Sequence, residues 1–283
     1  MAKKIDYKYR INDFSKSSKL ETQSLFDKDF VESPLSPIDT FFEKTTGLIK
    51  LIGKPEELSN QFASLILLGY VSAVESYFRE IIRKLILVDN ASRKKCEKHG
   101  LTYGAALTHE PEMLPEALLE ACSFTGSNNI KESLKNFLGI TKGDYSSDVN
   151  EALDQFSKVC QLRHCSVHRF GRLGSNNAIA LGLEEHKEYL EKPLKIDFNT
   201  LQEIFLICNN TVKEINNFLF EKILTRSVSE GAYDWKWDLR KDKAEFKKCY
   251  DLFVSAINPP DPAPSLHDAY EEFRNKCTQF FDR

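Results

Sequence analysis

The sequence has few of the features that mark several large classes of protein. Its net charge is only −3, so no overall positive field attracts nucleic acid, and any polyanion site must be a local patch. Seven cysteines are present, but they are irregularly spaced and none form a CxxC pair, which argues against a zinc ribbon and a disulfide framework. We therefore expect reduced thiols in a cytoplasmic protein.

Long apolar segments are also missing. The N-terminal residues MAKKIDYKYRINDF lack the apolar core of a signal peptide. The most apolar run, FASLILLGYVSAV at residues 62–74, is too short to span a bilayer, and charged residues follow it at once. This run is expected to be a buried helix, and no membrane partner is predicted.

Most of the sequence shows the apolar periodicity of helices. Patterns typical of strands are few, and no internal repeat occurs. These patterns predict a mainly α fold with three parts: an N-terminal arm (1–37), a helical bundle (38–226) and a C-terminal helical extension (227–283). Three helices are predicted with both bounds, at 38–52, 55–88 and 129–139. Three more are predicted by their starts alone: near residue 148, at Asn199 or Thr200, and after Ser265. Trp235 and Trp237 of the extension are either a partner contact or packed on the bundle.

One stretch, FSKVCQLRHCSVHRFGRLG at residues 156–174, concentrates the reactive side chains. At about 100° per residue, an apolar stripe runs along its helix and Arg163 lies near the centre of that stripe, with His164 and His168 on its shoulder. A guanidinium in such a stripe needs a carboxylate such as Glu75, a subunit interface or a bound anion. Gly171 is predicted to end the helix. The stripe consists of Val149, Leu153, Phe156, Cys160 and Val167.

Three interpretations compete for this stretch. Cys160, His164 and His168 share one helical face with metal-ligand residue types, but the cysteine lies about 6 Å further along the axis and no fourth ligand stands out, so we predict no metal or other cofactor. The residues could also be packed structural groups with Arg163 in a buried ion pair. In the third interpretation, histidines serve as general acid and base, and Arg163 holds a phosphate of RNA.

Arg163-His-Cys-Ser-Val-His168 matches the R-x4-H motif of the HEPN superfamily (higher eukaryote and prokaryote nucleotide-binding domain), and the exit His168-Arg-Phe-Gly171 is similar to that of the motif. The segment VSAVESYFREIIRKLI (71–86) resembles the long early helix of the HEPN bundle, with an acid at Glu75. The resemblance covers roughly residues 40–225. This chain has His164 where asparagine is common in the family.

The resemblance implies a four- to five-helix HEPN-like bundle that dimerises through the motif helix (148–170). Active members are metal-independent endoribonucleases of toxin–antitoxin, abortive-infection and CRISPR-linked defence systems. Carried over by position, Arg163 and His168 would be catalytic and His164 would support them, while Glu75 is our own candidate as a partner of Arg163. The partners implied are RNA, a second copy of the chain and an antitoxin or defence protein. The alternative is a non-catalytic HEPN-like module that binds a protein or a nucleotide.

Overall fold

A computed structural model of the chain describes Tyr9, Ile11, Asn12 and residues 17–281, with side chains as far as Cys277. Within this part of the chain the regular structure is helical, and the single β feature is an isolated bridge between Arg172 and Pro193. The prediction of a mainly α fold is therefore confirmed. No helix in the described residues is both long enough and apolar enough to cross a membrane.

The chain divides into two units, 1–34 and 35–283. Residues 1–8, 10 and 13–16 of the predicted N-terminal arm lie outside the described residues, and the rest of that unit contains one 3-10 turn, Thr22–Leu25. The described α-helices of the second unit are α1 (Pro37–Leu51), α2 (Asn60–Val88), α3 (Asn90–Cys96), α4 (Tyr103–Thr108), α5 (Leu114–Leu119), α6 (Ser127–Leu138), α7 (Ser147–Arg169), α8 (Ser175–Leu181), α9 (Leu183–His186), α10 (Phe198–Ser229), α11 (Leu239–Phe253) and α12 (Leu266–Phe281).

Helix α2 lies at the centre of the second unit and contains the apolar run that was predicted to be a buried helix. It packs against α1, α3, α5, α6, α7, α10 and α11. Its start differs from the prediction, because Pro55 begins a separate 3-10 turn that ends at Glu57. The α-helix begins only after Ser59, whose hydroxyl accepts a hydrogen bond from the Phe62 amide at 3.2 Å.

Helix α10 packs against the motif helix α7, and its apolar face from Leu201 to Ile223 is mostly buried in the core. Its cap is Asp197, whose carboxylate accepts from the Thr200 amide at 2.8 Å, rather than the predicted Asn199 or Thr200. The helix continues to Ser229, so the predicted boundary at 226/227 lies inside it. The division of the chain at that point stays a prediction.

The C-terminal extension forms α11 and α12, and its side chains join the same apolar core as the bundle. Trp235 is 8% exposed and its ring lies 5.0 Å from that of Phe273, while Trp237 stacks beside it. Of the two alternatives for these tryptophans, packing on the bundle is the one observed. The sequence leaves GAYDWKWDLRKD (231–242) open as a hairpin or a helix start; helix α11 begins there at Leu239, and Leu239, Phe246 and Phe253 are spaced as one helical face.

Asp39 in the first turn of α1 anchors the segment that connects α11 to α12. It is 3% exposed, and its carboxylate accepts hydrogen bonds from the Ser255 hydroxyl at 2.5 Å and from the Ala256 and Ile257 amides at 2.8 and 3.2 Å. Since hydrogen bonds to a carboxylate are stronger than those to a neutral acceptor, this one buried side chain holds the extension to the beginning of the bundle.

Replacement of Asp39 by alanine should lower the free energy of unfolding by about 2 kcal/mol, because three hydrogen bonds to a buried carboxylate are lost. The matched control is Asp251→Ala, which removes an exposed carboxylate paired with Lys247 and should change stability by less than about 1 kcal/mol. Urea denaturation of both variants measures the difference. Equal stability of the two variants would show that Asp39 does not anchor the extension.

Candidate functional site

The motif helix α7 is fixed by interactions at its beginning and along its length. The Ser146 hydroxyl caps it by accepting from the Val149 amide at 3.3 Å. Further along, the Ser157 hydroxyl accepts from the Ser127 amide at 2.8 Å and so joins the first turn of α6 to α7. The predicted apolar stripe is buried from Val149 to Cys160.

The stripe changes face at the C-terminal end of α7. Val167 was predicted to belong to it but is 47% exposed, whereas Cys165 is fully buried. The cause is helix α8, which packs on this end of α7 and covers Cys165 in a small satellite core with Leu173 and Ala178. Burial raises the pKa of the Cys165 thiol, so this cysteine is a packing residue.

The end of α7 is formed by Phe170 rather than by Gly171 alone. Phe170 has the left-handed conformation (φ 51°, ψ 42°), and Gly171 follows with φ 87°. The amides of both residues donate to the Cys165 carbonyl, the second at 2.9 Å. A side chain in this conformation costs about 1–2 kcal/mol relative to the right-handed helix, and the Phe170 ring is nevertheless 87% exposed.

Residues 171–194 fold back and hold the end of α7 in place. Leu173 donates to the Lys192 carbonyl at 3.0 Å, and Leu194 donates to the Gly171 carbonyl at 2.8 Å. One terminal nitrogen of Arg169 contacts both carboxylate oxygens of Glu191 at 2.5 Å. These contacts fix the turn that follows His168.

His164 and His168 lie side by side on the exposed surface of the last two turns of α7. Their ring centroids are 5.0 Å apart and the rings are inclined at 74°. Partial burial lowers the pKa of His164, and the positive charges of His168 and Arg163 lower it further. The neutral imidazole of His164 is therefore favoured, which is the form that accepts a proton.

Arg163 is half-buried beside this pair, and its guanidinium forms no hydrogen bond and no ion pair within 4.0 Å with any described residue. The expected partner Glu75 instead accepts from the Phe124 amide at 3.3 Å. Burial raises the pKa of the Cys160 thiol to about 12, and Glu75 and Arg163 shift it in opposite directions, so both charges lie near this sulfur. The Glu75–Arg163 ion pair suggested from the sequence is not formed within 4.0 Å, and one Glu75 oxygen instead accepts from the chain after α5.

The helix continues through Arg169, so His168 does not turn towards Arg163 as the predicted helix end had implied. Five residues along an α-helix correspond to about 140° around its axis. The chain thus brings His164 and His168 together, while Arg163 and His168 point away from the axis in different directions.

The surroundings of the motif are locally basic although the whole chain is acidic. Residues 155–183 contain no Asp or Glu, and they contain Lys158, Arg163, Arg169 and Arg172. Arg169 is paired with Glu191, which leaves the Arg163 guanidinium and the two imidazoles as the groups best placed to meet an anion. Glu191 was not found from the sequence, since a pair separated by 22 residues leaves no local signal.

The described residues contain no group of three or more His, Cys, Asp or Glu side chains able to hold a metal ion. The candidate triad is separated by burial: Cys160 is 2% exposed and faces the core, whereas both histidines face outward.

Replacement of Arg163 by glutamine should raise the pKa of His164, because one of the positive charges that disfavour the imidazolium is removed. The His168→Asn variant should shift it in the same direction. Titration of the imidazole C–H signals by NMR measures both changes, with exposed His267 on α12 as the internal reference. A His164 pKa that does not move in either variant would contradict the electrostatic coupling of the three side chains.

No model of a known protein family matches this chain, and neither does any curated protein or solved structure with which it was compared. What the site does is therefore inferred from its own side chains and from the motif that they form.

Proposed function

We propose that the protein is a metal-independent endoribonuclease that cleaves RNA by attack of the 2′-hydroxyl at a composite site between two copies of the chain. The observation that supports this most directly is the half-buried Arg163 guanidinium, which has no partner among the described residues and lies beside the exposed His164–His168 pair. A partly desolvated guanidinium with open hydrogen-bonding positions favours an anion, and its fork matches two phosphate oxygens.

The chemistry assigned to the site is a transesterification. A base removes the proton of the 2′-hydroxyl, the oxygen attacks phosphorus, and the bond to the 5′-oxygen breaks as an acid donates a proton to it. The products are a 2′,3′-cyclic phosphate and a 5′-hydroxyl. His168 acts as general acid or base, and His164, whose lowered pKa favours the neutral form, supports it in the complementary role. Arg163 stabilises the charge that develops on the phosphate.

A second copy of the chain would allow Arg163 and His168 to act on one phosphate, although they lie on different sides of α7. Arg163 and His168 are about 140° apart on one helix, so two helices packed about a two-fold axis can present the guanidinium of one copy and the imidazole of the other to the same phosphate. Dimerisation through residues 148–170 accordingly belongs to the proposal, as does the HEPN-like topology of the bundle.

The resemblance to HEPN proteins further suggests a role in anti-phage defence or in a toxin–antitoxin system, with an antitoxin or defence protein as partner. All seven cysteines are free thiols, and six of them are buried, which suits the reducing cytoplasm. The alternative from a different class remains a non-catalytic module that binds a protein partner or nucleotide.

In the presence of EDTA the purified protein should cleave single-stranded RNA to 2′,3′-cyclic phosphate ends, and His168→Ala should slow this by at least about a hundredfold. Arg163→Lys should also lose activity, by about tenfold or more, because an ammonium cannot replace the fork. The control is His267→Ala, which removes an exposed histidine outside the motif. The same variants are to be tested for toxicity in cells, where an activating trigger is available.

Cleavage by His168→Ala at the wild-type rate would contradict the catalytic assignment. If the wild-type protein neither cleaves RNA nor is toxic, yet retains a protein or nucleotide ligand on purification, the non-catalytic alternative is supported instead.

The composite nature of the site is tested by mixing two inactive variants. After subunit exchange, an equimolar mixture of Arg163→Ala and His168→Ala should recover about a quarter of the wild-type activity, since half of the dimers then contain one intact site of two. Each variant alone should stay inactive. Absence of recovery, with exchange confirmed by mass labelling, would show that both residues must come from the same chain.

A further inference from the structure

Phe170 is the most exposed large hydrophobic side chain among the described residues, at 87%. It occupies the position at the end of α7 where glycine is the usual residue, since glycine takes the left-handed conformation freely. An aromatic ring here gains nothing from burial in this chain, and its backbone conformation is unfavourable. Neither packing nor local conformation accounts for the ring.

The backbone that carries the ring is nevertheless held by hydrogen bonds. The amides of Phe170 and Gly171 both bind the Cys165 carbonyl, and the Leu194 amide binds the Gly171 carbonyl at 2.8 Å. Phe170 is therefore an aromatic group on a hydrogen-bonded turn, exposed to solvent two residues after His168. Exposed apolar side chains are common on protein surfaces, but this one lies in the middle of the acid-free basic segment 155–183.

We propose that Phe170 stacks on a base of single-stranded RNA that flanks the phosphate held by Arg163. The inference rests on the proposed function, because it places the base next to the scissile bond. An aromatic ring beside cationic side chains is the combination with which proteins bind single strands: the cations meet the backbone, and the ring meets the face of a base. In a duplex that face is already stacked within the helix, so the same ring discriminates against double-stranded RNA.

The test is a binding measurement that does not depend on cleavage. A fluorescent RNA of about 12 nucleotides with 2′-O-methyl groups cannot undergo attack by the 2′-oxygen, and its affinity for the full-length protein is measured by anisotropy in EDTA, both alone and annealed to its complement. Phe170→Ala and Phe170→Gly should bind the single strand about tenfold more weakly or worse, whereas Phe170→Trp should bind it at least as well as the wild type. Binding of the duplex should change little.

Two controls separate stacking from folding. Phe170→Gly should keep or raise the melting temperature, because glycine relieves the left-handed backbone, so weaker binding by this variant cannot be ascribed to unfolding. Tyr103→Ala removes another exposed aromatic ring, 79% exposed on α4, and should leave affinity unchanged.

Wild-type affinity of Phe170→Ala and Phe170→Gly for the single strand would overturn the inference. It would also be overturned if Phe170→Ala dissociated the dimer, as seen by analytical ultracentrifugation, with no loss of affinity, since the ring would then be a contact between copies. The proposed function can fail separately. If unmodified RNA stays intact but binding still depends on Phe170, the stacking proposal is supported and the nuclease proposal is contradicted. If cleavage requires His168 and neither cleavage nor binding requires Phe170, the nuclease proposal is supported and the stacking proposal is contradicted.

Discussion

The burial of α2 is the constraint on which the arrangement of the other helices depends. Fifteen of its 29 residues are buried, so this helix must be covered on several sides at once. Helices α1, α7 and α10 supply most of that cover, and the stripe of α7 from Val149 to Cys160 faces inward for this reason. The last two turns of α7 extend past this contact, which is why Arg163, His164 and His168 reach the surface.

The charges at this end of α7 are left unbalanced by the single chain. Most buried or half-buried cations of the described bundle have carboxylates, as Arg226 has Asp89 at 2.5 Å, while Arg169 has Glu191. Arg163 has no carboxylate partner among the described residues. Glu75, the partner suggested for it from the sequence, accepts a hydrogen bond from the Phe124 amide. An unpaired guanidinium beside two imidazoles, in a stretch without acids, is an arrangement that an anion would stabilise.

Much of the fold follows from local sequence. The apolar run 62–74 and the spacing from Leu201 to Ile223 predict α2 and α10, because burial of one face repeats every three to four residues. The starts of both helices were misplaced: Pro55 begins a separate 3-10 turn before α2, and Asp197 caps α10 although Asn199 and Thr200 have similar capping ability.

The motif spacing predicts which residues form the candidate site, and that assignment stays a prediction, but it does not predict their geometry. The motif spacing identifies Arg163 and His168, yet whether they share a face depends on where α7 ends. That end is set by contacts between residues distant in sequence, such as Leu173 with Lys192 and Arg169 with Glu191. The true use of Glu75 was hidden for the same reason, because its acceptor role depends on a loop 49 residues away.

The attachment of residues 171–194 has a consequence for local unfolding. Only a few hydrogen bonds, one exposed ion pair and a satellite core of Cys165, Leu173 and Ala178 hold this segment to α7, whereas α2 opens only with the main core. We expect these two parts to behave as different cooperative units in native-state hydrogen exchange. The last turn of the motif helix can therefore loosen and reform while the bundle beneath it stays intact.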